Sequence, residues 1–279
     1  MFSDNIINDY DMEFFDETDS TNNEAKRRIE RSETGLSRPL VIAARSQTAG
    51  RGRQGKSFYS PRGTGIYLTA VCPMGCSITG QVTITSKTAV AVARAIEGFY
   101  GIECSIKWVN DIYVNDRKCC GILCEAVNDY ENNRLRYVII GVGVNVYTTD
   151  WPGDIVDVAG SIKSADCGNN GPSDRQHPGR TVMSDEEFTG FARKLAEEIL
   201  HVIYAPDGNE GEYYRSHSCV IGHEITFSEN TGSDGGRLTG TVTHTAKAVG
   251  IDDNGGLIVE LATGEKRTLD SGEITVRRV

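Results

Sequence analysis

The segment Leu135-Arg-Tyr-Val-Ile-Ile-Gly-Val-Gly-Val-Asn-Val146 is apolar at nearly every position. A half-exposed strand alternates apolar and polar residues, so a run like this belongs in the middle of a sheet. It is shorter than the ~20 residues that a helix needs to cross a bilayer. The other long apolar run, Ser86 to Tyr100, is too short as well. Three short strands are expected just upstream, at 103–108, 112–115 and 119–127, with Asn115-Asp116 turning between the last two.

The flanking elements follow from similar cues. Residues 12–18 read as a lead-in strand. Asp19-Ser-Thr-Asn-Asn-Glu24 opens a helix to about Ser32, with Thr21 and Glu24 at capping-box spacing. Strands are expected at 40–45 and 66–72, and Ser86 to Phe99 reads as a helix ended by Gly101. Residues 150–180 read as loop. Ser184 and Glu187 form a second capping box before a helix to about Tyr204. From Cys219 to Val279 short alternating strands and glycine-rich turns predict a small all-β barrel. The fold class is therefore α+β, with a larger domain over 1–217 and a β domain over 218–279.

The 279 residues suffice for one sizeable domain and a small second one. A net charge of −10 argues against a protein that coats nucleic acid. The acidic N-terminus has no cationic region before an apolar stretch, so no signal peptide is expected. Eight cysteines include the adjacent pair Cys119-Cys120, and Cys72, Cys104 and Cys124 sit inside strand-like runs. No CxxC pair occurs, so the reading is buried thiols in a reducing cytoplasm rather than disulfides or zinc.

Against this acidic background Gly50-Arg-Gly-Arg-Gln-Gly-Lys56 stands out. With Ser57 it matches the phosphate-loop pattern GxxxxGK[ST]. A phosphate loop must open into a helix, and Pro61, Gly63 and Gly65 forbid one here. A solvated basic loop without a role and an RNA-contacting segment are alternatives; the acidic charge weakens the second. In the remaining reading the glycines let the backbone wrap a ligand, Arg51 and Arg53 turn their forks on one phosphate or carboxylate, and Phe58 and Tyr59 offer an aromatic face. Two further stretches fit that reading. Lys107-Trp-Val-Asn-Asp111 ends a strand, where Asn-Asp alone would suit a plain turn. Lys118 lies at the mouth of the buried run Cys119–Cys124 and faces solvent or a pocket; Gly121 inside that run marks a close ligand approach.

Taken in order, Asp19-Ser-Thr-Asn22, Gln47-Thr-Ala-Gly-Arg-Gly-Arg53, Lys107–Asp111, Arg117–Leu123 and Ile140-Gly-Val-Gly-Val-Asn145 resemble the biotin protein ligases (biotin–[acetyl-CoA-carboxylase] ligases or holocarboxylase synthetases). The resemblance implies a mixed sheet with flanking helices followed by an SH3-like β domain. It implies an activity in two steps: biotin and MgATP give biotinyl-5′-AMP, and a lysine of a biotin carboxyl carrier domain then takes the biotin. By position, Ser20, Thr21, Asn22, Gln47, Gly52 and Gly121 fall to biotin. Arg51, Arg53 and Lys118 fall to its carboxylate and the phosphate, and Phe58, Lys107 and Asn110 to the adenylate. Asp111 would assist the acceptor lysine or contact Mg²⁺.

The chain departs from the family at Val109, where proline is common, and at Phe58, where tryptophan is usual. Only a short acidic segment precedes Asp19, which leaves no room for the DNA-binding domain of some relatives, so no operator binding is expected. A homodimer through a sheet edge is an open expectation, and no membrane association is expected. Two rival functions remain: lipoate–protein ligation on the same fold, and a non-catalytic biotin-binding relative.

Overall fold

The computed structural model describes residues 9–77, 81–129, 134–163, 181–234, 237–270 and 274–276. The first sheet holds strands β1 (Asp11–Phe15), β2 (Leu40–Ala44), β3 (Gly65–Ser77), β4 (Ser105–Lys107), β5 (Asp111–Val114), β6 (Arg117–Asp129) and β7 (Arg134–Asn145). Their spatial order is β1-β2-β3-β7-β6-β5-β4. Only β1 and β2 run parallel, because helix α1 (Thr21–Arg31) crosses between them. The other neighbours are antiparallel, so the sheet is mixed.

The apolar run at 135–146 is β7, the middle strand, paired on both sides by β3 and β6. Alternation divides the core between two faces. Val41, Ala43, Ile66, Leu68 and Ala70 point to the face covered by α2 (Gln81–Tyr100) and α3 (Asp185–Tyr204), whose Val90, Ile96, Phe191 and Leu195 complete the main core. Leu40, Ile42, Val71 and Ile139 point the other way, onto Ala25 of α1. The helix read at 86–99 starts five residues earlier, at Gln81, and Gly101 at φ 68° closes it. Asn115 and Asp116 both adopt positive φ, 49° and 60°, as a two-residue hairpin turn requires.

One cap differs from expectation. The N-cap of α1 is Ser20, and its side chain makes no capping bond. Thr21 makes no capping box with Glu24; its hydroxyl lies between Gln47 Oε1 at 3.1 Å and Thr69 Oγ1 at 2.8 Å. Glu24 instead pairs with Arg27 at 2.6 Å and with Arg28. By contrast, Ser184 Oγ accepts from Glu187 N at 3.1 Å, one half of the second capping box, while the Glu187 carboxylate accepts from Tyr147 OH at 3.0 Å.

The lead-in strand is shorter than expected, ending at Phe15, and helix α4 (Glu210–Ser216) was not expected; its seven residues are too few to show a period. Beyond it, β8 (Glu224–Asp234), β9 (Arg237–Ile251), β10 (Leu257–Leu261), β11 (Lys266–Leu269) and β12 (Ile274–Val276) form an antiparallel sheet in the order β11-β10-β9-β8-β12. The turn between β9 and β10 is tied to the end of β4 and to α2. Trp108 Nε1 donates to Gly255 O at 2.9 Å, and Thr83 Oγ1 donates to Asn254 O at 2.8 Å. Trp108→Phe keeps most of the ring but leaves that carbonyl without its donor. The expected cost is about 1–3 kcal/mol, read as a lower urea midpoint. Among the described residues no helix is long and apolar enough to cross a membrane. Among the described residues six cysteines are free, and burial pushes the Cys72 and Cys124 thiols up to about 12 and about 11.

Candidate active site

Strand register builds the floor of a cavity on the α1 side of the first sheet. One row runs Lys107, Asp111, Gly121, Gly143, Tyr67 across five strands. The next holds Leu123, Gly141 and Thr69, and a third holds Glu125, Ile139 and Val71. All of these share one face, because they lie two residues apart along each strand. The glycines keep that face low. A Cβ on Gly143 would stand 2.5 Å from Phe58 Cε1, and one on Gly141 would stand 2.1 Å from Asn22 Oδ1.

Lys118 reaches this face by an irregularity. It lies three residues before Gly121, so simple alternation sends it to the opposite side. The pairing skips Cys119, since Ile112 faces Cys120 and Tyr113 faces Lys118. That bulge buries both cysteines and turns Lys118 toward Asp111, with Nζ 2.7 Å from Oδ1. Burial pushes the Cys120 thiol well above its usual range, so beside Lys118 it stays protonated.

The glycine–arginine loop folds back on itself. Gly52 N donates to Lys56 O at 2.7 Å around a short turn in which Gln54 and Gly55 take positive φ. No helix follows; the chain passes Phe58 and enters β3, which removes the phosphate-loop reading. Gly50 is required for close approach, because a Cβ there would lie 2.3 Å from Phe58 O. Arg53 Nη1 donates to Asn110 Oδ1 at 2.9 Å. Arg51 Nη1 lies 3.3 Å from Asn23 Oδ1 and 3.5 Å from Glu125 Oε1.

These parts enclose a cavity of about 340 Å³, a size suited to a small molecule. All the residues that the resemblance assigned line it: Ser20, Thr21, Asn22, Gln47, Arg51, Gly52, Arg53, Phe58, Lys107, Asn110, Asp111, Lys118 and Gly121; Tyr59, expected beside Phe58 as an aromatic face, does not, and packs near Trp151 at 6.1 Å. Arg51, Arg53, Lys56, Lys107 and Lys118 bring five cations to the wall, against Asp111 as the one carboxylate among the described lining residues. The acidic chain thus concentrates positive charge where an anionic ligand would sit. Phe58 lies on the floor, its ring edge-on to Tyr67 at 6.3 Å, rather than standing free as an aromatic platform.

Behind the wall runs a polar network that sequence reasoning missed. Gln47 Oε1 accepts from Thr21 N at 2.9 Å, and Gln47 Nε2 donates to Ser60 Oγ at 2.9 Å. Thr69 Oγ1 lies 2.8 Å from Thr21 Oγ1 and 2.7 Å from Asn22 Oδ1. Asn22 Oδ1 can only accept, so the Thr69 proton goes there, and Asn22 Nδ2 is left to donate to Glu125 Oε2 at 2.9 Å. Asp19 braces the same helix start through Arg27, whose hydrogen bond holds its carboxyl well below the usual range. Ile274 and Thr275 of β12 close the cavity from the C-terminal sheet, a contact that no local pattern announces.

The donor set does not build a resident metal site. Asp111 is already paired with Lys118, and among the described residues no group of three His, Cys, Asp or Glu side chains could hold an ion.

Residues 14–145 match the model of the biotin/lipoate A/B protein ligase family, and residues 236–277 match that of the biotin protein ligase C-terminal domain. The chain is 31% identical over 229 residues to the bifunctional ligase/repressor BirA of Bacillus subtilis, covering 81% of this chain and 63% of that one. It therefore spans less than two thirds of that relative's length. It is 26% identical over 239 residues to the biotin–[acetyl-CoA-carboxylase] ligase of Mycobacterium tuberculosis, covering 84% and 78%. The solved biotin protein ligase from Aquifex aeolicus in complex with biotin and ATP shares the fold at TM-score 0.67 and 22% identity, over 96% of this chain and 99% of that one. Two family models matched in chain order, on a fold whose glycine floor and cationic loop come from the matched segments, place the chain in the biotin/lipoate protein ligase family.

Proposed function

We propose that this protein joins biotin to ATP as biotinyl-5′-AMP and passes the biotinyl group to a lysine of a biotin carboxyl carrier domain. The observation that carries this is the convergence of Arg51, Arg53, Lys107 and Lys118 on a cavity whose floor is cleared by glycines. In the first step a biotin carboxylate oxygen attacks the α-phosphate and pyrophosphate leaves. Two anions meet there, and fixed cations lower the barrier by offsetting the charge that develops. In the second step the acceptor amine attacks the acyl carbon and AMP leaves.

The named residues divide as follows. Ser20, Thr21, Asn22 and Gln47 take the ureido ring, with Gly52 and Gly121 lending close backbone approach. Arg51, Arg53 and Lys118 take the carboxylate and phosphate. Lys107 and Asn110 border the nucleotide end, and the Phe58 ring leaves the glycine floor to meet adenine. Asp111 holds Lys118 in place through their ion pair. Mg²⁺ arrives with the triphosphate as part of the substrate, because its ligands are commonly phosphates and water with one or two carboxylates. The domain division at 217/218 and a cytoplasmic setting belong to the same reading; free thiols suit a reducing compartment.

The polar end of the cavity favours biotin over lipoate. A dithiolane ring has no carbonyl to accept the second amide protons of Asn22 and Gln47, which their bonds to Glu125 and Ser60 leave available, whereas a ureido ring has one. The test is biotin-dependent exchange of labelled pyrophosphate into ATP, with lipoate in parallel. Exchange is expected with biotin alone. Exchange with lipoate and not biotin, or none with either, overturns the proposal.

A further inference from the structure

We propose that Glu125 is a positioning residue, which with Asn23 holds Arg51 by one nitrogen and so aims the rest of its guanidinium at the ligand's anionic group. The inference rests on the function proposed above and adds a residue to it. Glu125 does not line the cavity; it sits behind the wall on β6, with its side chain 22% exposed. Three elements meet on its carboxylate. Lys26 Nζ of α1 is 2.7 Å from Oε1, Asn22 Nδ2 is 2.9 Å from Oε2, and Arg51 Nη1 of the loop is 3.5 Å from Oε1.

The atoms used on Arg51 decide the matter. Both of its partners, Glu125 and Asn23, take Nη1. Nε and Nη2 have no partner among the described residues, and together they form the fork that grips a carboxylate or phosphate two-handed. A guanidinium tethered by one corner loses the rotamer freedom that a free arginine gives up on binding. Lys26 keeps Glu125 from being an isolated partly buried anion, so the tether does not need Arg51 for its own neutrality. Burial pushes the Glu125 carboxyl up, but the bonds from Lys26 and Asn22 and the Arg51 charge outweigh it and leave it below its ordinary value. Oε2 of the same half-buried carboxylate accepts from Asn22 Nδ2, a bond that the amide oxygen of a glutamine in its place can keep.

The experiment measures biotin-dependent pyrophosphate exchange with the full chain. Glu125→Gln should raise the biotin KM about threefold to fivefold, the loss of one partly exposed ion pair of up to about 1 kcal/mol. Its kcat should stay within about twofold. Asn23→Ala, which removes the other tether, should raise the KM about threefold. In an Arg51→Met background Glu125→Gln should add nearly nothing. Lys26→Met breaks the strongest ion pair on Glu125 yet leaves the Arg51 tether, so its KM should stay within about twofold of wild type. An unchanged KM in Glu125→Gln overturns the inference. So does an equal rise with and without Arg51, because Glu125 would then act through packing alone. If the glutamine variant does not fold, an unchanged KM in Asn23→Ala, or an equal rise from it with and without Arg51, overturns it instead. A wild-type chain with no biotin-dependent exchange would sink the underlying function, a result distinct from any of these.

Discussion

Lys118→Met is expected to cut biotin-dependent pyrophosphate exchange by about 10²–10³-fold, the usual loss when one preorganised donor to a developing charge is removed. Lys118 stands against the glycine floor, its Cε 3.5 Å from where a Cβ on Gly121 would lie, carried there by the bulge at Cys119 and held by Asp111 at 2.7 Å. Methionine keeps the length and apolar stem of the lysine, so packing against the sheet survives. The charge does not, and Asp111 is then left as an unopposed negative group beside the site of an incoming carboxylate. The defect should therefore appear in kcat and in biotin affinity together. An unchanged urea midpoint, within about 1 kcal/mol, would separate this from unfolding, since the pair is partly exposed and contributes little to stability. A variant with wild-type exchange would remove Lys118 from the reaction.

The second large effect is expected from Gly141→Ala. Its new methyl would stand 2.1 Å from Asn22 Oδ1 and 2.9 Å from both other atoms of that amide. Asn22 is pinned between Thr69 and Glu125, so it cannot step aside without breaking both bonds. Leaving buried polar groups unpaired costs about 1–3 kcal/mol, or about 10–100-fold in biotin KM. Isothermal titration with biotin reads this directly. The effect on ATP affinity should be small, because the disturbed amide lies at the biotin end. Equal losses for both ligands would mean that the floor had collapsed as a whole.

These two residues show how differently parts of the site could be read in the chain. The central strand was plain from its uninterrupted apolar run, and the cavity face follows from it by counting in twos from Gly121, Gly141 and Gly143. The direction of Lys118 was not legible. It depends on one skipped residue, and nothing in Arg117-Lys-Cys-Cys-Gly121 distinguishes a bulge from regular pairing. Thr21 was misassigned to a helix cap because local spacing favoured it, while its hydroxyl lies between two long-range partners, Gln47 and Thr69. Glu125 and Thr69 carried no signal at all. A glutamate or threonine in a strand ordinarily faces solvent, and only the arrival of α1 over the sheet makes them interior. Phe58 was recognised by position, but its resting place on the floor is set by glycines far away in the chain. The contribution of Ile274 and Thr275 likewise depends on how the second sheet docks.

The central claim is that the glycine floor and the cationic rim together form the seat of an acyl-adenylate. A crystal structure of the chain grown with biotin and MgATP tests it most directly. The account predicts density for biotinyl-5′-AMP, with the ring over Gly121 and Gly141 and the phosphate within hydrogen-bond reach of Lys118 Nζ and the free edge of Arg51. Density for the ligand elsewhere on the molecule, or a bound adenylate whose phosphate touches none of Arg51, Arg53 and Lys118, would contradict it.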